Sequence, residues 1–183
     1  MPITSPWRAD FPGILALAAE GQTYLDSAAT AQKPQAVLDA LLGYLCGGVA
    51  NVHRAQHLPG ERATRAFEAT RSKAAQWLNA ASAEEIIFTR NVTEAINLVA
   101  SSWGGENIKE GDEIVLSIME HHSNIVPWHF LRERQGAVIK WAPVDDEGNF
   151  LIEEFEKLLT PRTKIVAITQ MSNALGTLVP VKE

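Results

Sequence analysis

Four short runs of β-branched and aliphatic residues, "EIIFT", "EIVLS", "AVIKWA" and "KIVAIT", punctuate the chain from Glu85 onward, with helix-like segments between them. The intervening pieces are "TEAINLVASSW", "NIVPWHFLRERQ" and "LIEEFEKLLT". Strands joined through helices cannot pair as hairpins. They cross over, run parallel and bury both faces of one sheet. The alternation therefore predicts an α/β fold, and with it a place to look for chemistry, because open parallel sheets collect ligands where the strand carboxyl ends meet helix N-termini.

The first half reads differently. "TYLDSAATAQKP" has the small residues and alternation of an extended piece and a turn. Pro34 then opens a helix whose apolar positions, Val37, Leu38, Leu41, Leu42 and Leu45, keep helical spacing until Gly47 and Gly48 stop it. Cys46 falls in its last turn, where the negative end of the helix disfavours a thiolate, so it reads as a packing residue and not a nucleophile. A turn-rich loop, "GGVANVHRAQHLPG", leads to a long helix from about Glu61 to Leu78. No repeat or linker divides the chain. The division expected is an N-terminal segment over 1–33 and a single α/β unit over 34–183.

The residues just past each strand separate the candidates. "AVIKWA" runs into "PVDDEGN", a turn without evident chemistry. "EIIFT" runs into "RNVTEAIN", where Asn91 and Glu94 make a helix capping box. The same geometry leaves the backbone N–H groups of Val92 and Thr93, and the Thr93 hydroxyl, free for a phosphate at the positive end of the helix. A capped helix and an anion site are both open readings of that string. Neither GxGxxG nor GxxxxGK[ST] occurs, which leaves dinucleotide and P-loop sites unsupported. "EIVLS" runs into "IMEHHSN", with His121 and His122 adjacent. Adjacent histidines on a helix diverge by about 100°, unlike the i,i+4 pairs that share a zinc ion. The one such pair, His53 and His57, lies in a Gly/Pro-bounded stretch far from the single cysteine, so no metal site is predicted.

Six strings in register, "YLDSAATAQKP", "NVHR", "TRNVTEAINLVA", "GDEIV", "MEHHSNIVPW" and "SNALGT", closely resemble the cysteine desulfurases of the sulfur-mobilisation type, within the class V aminotransferases. The resemblance runs from about Arg8 to the last residue. It implies an incomplete three-layer αβα domain, like the large domain of fold type I enzymes that bind pyridoxal 5'-phosphate. By the same match His121 stacks on the cofactor ring and is the catalytic candidate, with His122 packed elsewhere. Val92 and Thr93 bind the cofactor phosphate, and Asn173 in "MSNALGT" hydrogen-bonds near the ring oxygen and the substrate carboxylate. The family often has Gly-Thr-Thr-Glu where Asn91-Val92-Thr93-Glu94 stands here, so one hydroxyl is lost while the backbone donors remain.

The resemblance also implies a substrate, L-cysteine, turned to L-alanine with its sulfur left as a persulfide for a sulfur-acceptor protein, in a homodimer that serves iron–sulfur cluster or sulfur-cofactor assembly. A selenocysteine lyase, an aminotransferase-fold epimerase and an inactive truncated product are the competing expectations. None of the seven lysines sits in the family's Ser-Gly-His-Lys setting, and Cys46 does not match its sulfur carrier. The chain is thus expected to resemble an N-terminal part that is inactive alone. A net charge of −6 with no Lys/Arg cluster argues against nucleic acid. No apolar run approaches 18 residues and no basic-then-apolar start appears, so neither a membrane span nor a signal peptide is expected, and one cysteine suits a reducing cytoplasm. The family topology puts "EIVLS" between "AVIKW" and "KIVAIT" and leaves "EIIFT" with no partner in this chain.

Overall fold

A computed structural model describes residues 5–53 and 56–182. Arg54 of the "NVHR" string lies outside them. The chain divides into two compact units, Met1–Ile87 and Phe88–Glu183.

The first unit is helical: α1 (Pro12–Ala19), α2 (Gln35–Cys46) and α3 (Leu58–Leu78). Helix α3 begins three residues before the expected Glu61. His57 is its cap, its Nδ1 accepting the Gly60 N–H at 3.3 Å, and Pro59 in the first turn needs no donor. Asn79, in the left-handed conformation at φ 55°, ends the helix. Arg71 braces the chain beyond α3 by donating to the Ile86 carbonyl. No residue of α2 is buried, and Leu41, Leu42 and Leu45 are each more than half exposed. Cys46 is exposed with them, which corrects its reading as a packing residue.

The second unit holds the parallel sheet, β1 (Glu113–Ser117), β2 (Val138–Ala142) and β3 (Thr163–Ala167), in the order β2-β1-β3. The central place expected for "EIVLS" is the one observed. Registers pair Ile114 with Ile139 and Ile165, and Leu116 with Trp141 and Ala167. "EIIFT" forms no ladder: Ile86 is extended, but residues 86–89 pair with no strand among the described residues. Before the sheet come α4 (Val92–Val99), a π-helical turn over Ala100–Gly104 and the short α5 (Gly105–Asn107). Helix α6 (Val126–Gln135) connects β1 to β2, and α7 (Ile152–Glu156) lies between β2 and β3.

All five residues of β1 are buried, as a strand with neighbours on both sides and helices over it must be. Ile114 and Leu116 pack with Trp128 and Leu131 of α6, Ala100, Ile108 and Ala137, and Ile96 of α4 leans on this core. At Gly104 the π turn passes so close to α6 that a Cβ would lie 2.8 Å from Leu131 Cδ1; only glycine fits without a shift.

At the amino end of the sheet Glu113 is almost fully buried. Its carboxylate meets Lys140 Nζ of β2 at 2.7 Å and accepts from the Thr160 hydroxyl at 2.6 Å, the Thr163 hydroxyl of β3 at 3.2 Å and Arg162 at 3.4 Å. One side chain of the central strand thereby holds both neighbours. The Lys140 hydrogen bond first, then that from Thr160, draws the Glu113 pKa from 4.5 down to about 2. A folded-state pKa below the unfolded value means stability that is complete above about pH 4.5 and is lost as pH falls toward 2. Urea midpoints measured between pH 7 and pH 2.5 should fall on the acid side in the parent chain. In Glu113→Gln the midpoint should start lower at pH 7 and decline less below pH 4.5; parallel curves for the two proteins would remove Glu113 from the acid response.

Candidate functional site

The carboxyl edge of the sheet and the start of α4 lie within the second unit. At α4 the Asn91 side chain accepts the Glu94 N–H at 2.9 Å, the expected cap. The reciprocal half of the box is displaced by one residue. Glu94 Oε2 accepts from the Arg90 backbone N–H at 2.7 Å and from Arg90 Nε at 3.1 Å, not from Asn91. These two bonds, backbone first, hold the Glu94 carboxyl below its ordinary range. The capping side chains thus use the N–H groups of Arg90 and Glu94. Those of Val92 and Thr93, and the Thr93 hydroxyl, donate to no group among the described residues, and both residues are exposed. The sequence leaves a capped helix and an anion site as alternatives; the geometry forms the cap and leaves these donors unused among the described residues.

Helix α4 packs against the single 3-10 turn His122–Asn124, which comes directly after His121. His121 is exposed, but its ring is held. Nδ1 accepts the Ser123 backbone N–H at 3.2 Å and lies 2.8 Å from the Ser123 hydroxyl. An acceptor at Nδ1 assigns the ring proton of the neutral imidazole to Nε2. The His121 carbonyl in turn accepts the Asn124 N–H at 2.8 Å. His122 is also exposed, tilted at 50° to His121 with ring centroids 6.0 Å apart.

Beneath this turn lies Glu120, with 9% of its surface exposed. Its Oε1 accepts from the Ser117 hydroxyl at 2.5 Å and the Thr169 N–H at 2.9 Å, and its Oε2 from Asn124 Nδ2 at 2.8 Å. Asn124 also donates to the Ala167 carbonyl at 3.0 Å and accepts from Trp128 Nε1 at 3.0 Å. The His121 turn is thus joined to the exit of β3. Beyond that exit the chain folds back on itself: Val179 N–H donates to the Gln170 carbonyl and Ser172 N–H to the Thr177 carbonyl, both at 2.9 Å. Asn173 sits in the resulting turn, exposed, beside the buried Ser172 whose hydroxyl accepts from the Ala174 and Leu175 N–H groups. The "PVDDEGN" loop supports it, since the Thr177 hydroxyl donates to the Gly148 carbonyl at 2.8 Å.

The elements carrying Val92, Thr93, His121 and Asn173 are therefore linked in one unit, through the α4 contact on one side and Glu120 on the other. The other histidines are engaged elsewhere: His57 caps α3, His53 lies 3.4 Å from Glu68, and His129 lies beside Trp141. Among the described residues no group of three or more His, Cys, Asp or Glu is placed to hold a metal ion. Glu120 and Ser123 are additions that reading the strand ends does not find. The available signal is the i,i+4 spacing of Glu120, Asn124 and Trp128, an acid, an amide and an indole N–H, although only Trp128 lies in α6.

The profile described as Aminotransferase class-V matches residues 23–183. The chain belongs to that family. It is 58% identical over its whole length to a probable cysteine desulfurase of Pseudomonas aeruginosa, covering 45% of that protein, and 53% identical to a cysteine desulfurase of Synechococcus elongatus over 96% of this chain and 28% of that one. Among solved structures it resembles a cysteine desulfurase from Thermococcus onnurineus, with a TM-score of 0.86 and 37% identity over 100% of this chain and 44% of the other. A cysteine desulfurase from Escherichia coli, with a TM-score of 0.79 and 38% identity, matches 97% of this chain and 44% of its own. The chain thus spans less than half the length of these relatives.

Removing the Asn91 side chain leaves the Glu94 N–H without its acceptor and frees the start of α4. Asn91→Ala should lower unfolding free energy by about 1 kcal/mol, read from urea titration followed by circular dichroism. Asn91→Asp and Asn91→Ser should recover most of it; equal loss in all three variants would exclude capping as the cause.

Proposed function

We propose that this chain supplies the amino-terminal, phosphate- and ring-facing side of a cysteine desulfurase site for pyridoxal 5'-phosphate. The observation that carries this reading is the linkage of three segments in one unit: unused N–H donors at α4, a held but exposed imidazole at His121, and the Asn173 turn.

The residues fit the cofactor by their chemistry. A phosphate dianion suits the Val92 and Thr93 N–H groups and the Thr93 hydroxyl at a helix N-terminus, where the dipole favours negative charge. The flat His121 ring, restrained through Nδ1, suits contact with a flat electron-poor ring and leaves Nε2–H as a hydrogen-bond donor. The Asn173 amide suits a ring oxygen and a substrate carboxylate. Pyridoxal phosphate, when bound, supplies an electron sink for the carbon bearing the substrate amino group.

The net reaction takes L-cysteine and an enzyme thiol to L-alanine and a persulfide. The substrate C–S bond breaks, an S–S bond forms at the thiol, and the carbon gains a proton. The thiol is not Cys46, which does not match the family's sulfur carrier. This reading extends to a homodimer, a sulfur-acceptor protein and a role in iron–sulfur or sulfur-cofactor assembly. A cytoplasmic site of action is supported by a single cysteine and by the lack, among the described residues, of any helix long and apolar enough to cross a membrane.

The test is a chimera in which this chain replaces the matching part of the Pseudomonas aeruginosa relative. Cysteine-dependent alanine formation is expected, with the cofactor retained through gel filtration. His121→Ala should weaken cofactor retention about fivefold to tenfold, as loss of a ring contact worth about 1 kcal/mol implies, and should slow turnover further. His122→Ala should change both by less than about twofold. A folded chimera that binds the cofactor but forms no alanine would reject the activity, and equal effects of the two histidine changes would reject the assignment of His121.

A further inference from the structure

Glu120 is a buried acid for which no cation lies within ion-pair distance among the described residues. Burying a charged group among neutral donors costs more than burying an amide or an apolar side chain of similar size. The position must therefore need something only a carboxylate offers. Three donors converge on it from three places: the Ser117 hydroxyl at the end of β1, the Thr169 N–H past the end of β3, and Asn124 Nδ2 on the turn that carries His121. A glutamine has one acceptor oxygen. Set with that oxygen toward Ser117 and Thr169, it would turn its own NH₂ against the NH₂ of Asn124. Asn124 cannot flip to receive it, because its Oδ1 already accepts from Trp128 and its Nδ2 also serves the Ala167 carbonyl. Two acceptor atoms on one side chain are required.

We infer that Glu120 is the positioning residue of this site: its carboxylate straps the His121 turn to the exit of β3 and so fixes the ring-holding imidazole relative to the Asn173 turn. The role rests on the cofactor reading above, since it matters only if those two segments serve one ligand. It acts at a distance from the reacting atoms. One oxygen holds the β3 side and the other the His121 side, so loosening either arm should be felt at the other.

The strap is tested on the full 183-residue chain without ligand, by amide hydrogen exchange and by the imidazole nitrogen shifts of His121. Glu120→Gln should raise exchange at the Asn124 and Thr169 amides at least about tenfold and move the His121 Nδ1 resonance as its hold loosens. Adding Asn124→Asp lets the introduced glutamine donate to the new carboxylate, at the loss of the donor to the Ala167 carbonyl, and the double variant should return the Thr169 amide to within about threefold of the parent. Unchanged His121 shifts, or exchange that rises uniformly across β1, β2 and β3 with no rescue, would overturn the strap and leave Glu120 a general stability residue. If Glu120→Gln does not fold, Trp128→Phe frees Asn124 Oδ1 while keeping the carboxylate. Asn124 and Thr169 exchanging faster together by about threefold then supports the strap, and Asn124 alone overturns it. Millimolar pyridoxal phosphate added to the parent chain reads the site separately. If the Val92, Thr93 and His121 resonances do not move, the cofactor reading fails and the positioning role with it; if they move but Glu120→Gln changes none of the ligand-free signals, only the strap fails.

Discussion

Strand β1 is buried along its whole length, and a strand so placed has to satisfy its polar groups inside the protein. Its backbone does so through parallel ladders on both sides. Its ends do so through carboxylates. Glu113 gathers Lys140, Thr160, Thr163 and Arg162 at the amino end, and Glu120, three residues past Ser117, gathers Ser117, Asn124 and Thr169 at the other. The two clusters differ in kind. The first includes cations, and its Lys140 bond depresses the Glu113 pKa; the second is built from neutral donors alone. One end is an ion-paired anchor for the sheet, and the other fixes the relative placement of the loops that leave it.

That difference bears on chemistry. A lysine or arginine beside Glu120 would place a long cationic side chain under the segment that carries His121, and would compete for an anionic ligand. Neutral donors hold the loops without that competition. Positive potential is instead concentrated at the amino end of α4, where the Asn91 cap leaves two backbone donors unused among the described residues. On the proposed reading, a phosphate-bearing ligand would be directed to that end of the site and its ring toward His121.

How much of this was legible in the sequence depends on the range of the interaction. The runs "EIVLS", "AVIKWA" and "KIVAIT" announce strands because burial on both faces selects continuous apolar residues. Their order is not in the pattern; it comes from the family resemblance. "EIIFT" shows the limit, since the same composition gives extended chain but no ladder when no neighbour pairs with it. Local caps are half legible. Asn91 is where spacing puts it, whereas Glu94 reaches back to Arg90, and nothing in the string "HLPG" marks the N–H that His57 captures. Cys46 defeats the reading because a helix C-terminus that disfavours a thiolate argues against a nucleophile without making the side chain buried. The link that Glu120 makes to the exit of β3 is invisible to a local reading because its partner Thr169 lies more than forty residues further on.

The strand order has a consequence for how the chain reaches its structure. Strand β1 meets β2 after one helical crossover, but it meets β3 only after roughly twice that length of chain. Each doubling of a closed loop adds about 0.6 kcal/mol of entropy cost, and contacts distant in sequence form slowly. The β1–α6–β2 unit is the favoured nucleus, with β3 docking afterwards on the open edge of β1. Glu120 stands on the early-forming side, yet one of its donors, the Thr169 N–H, arrives with β3. Until then that acceptor has Ser117 and water for partners. The last strand to dock also brings the Asn173 turn, so a ligand that spans His121 and Asn173 meets a complete surface only after the sheet has closed, and by binding there it would slow the reopening of β3 more than any other step of unfolding.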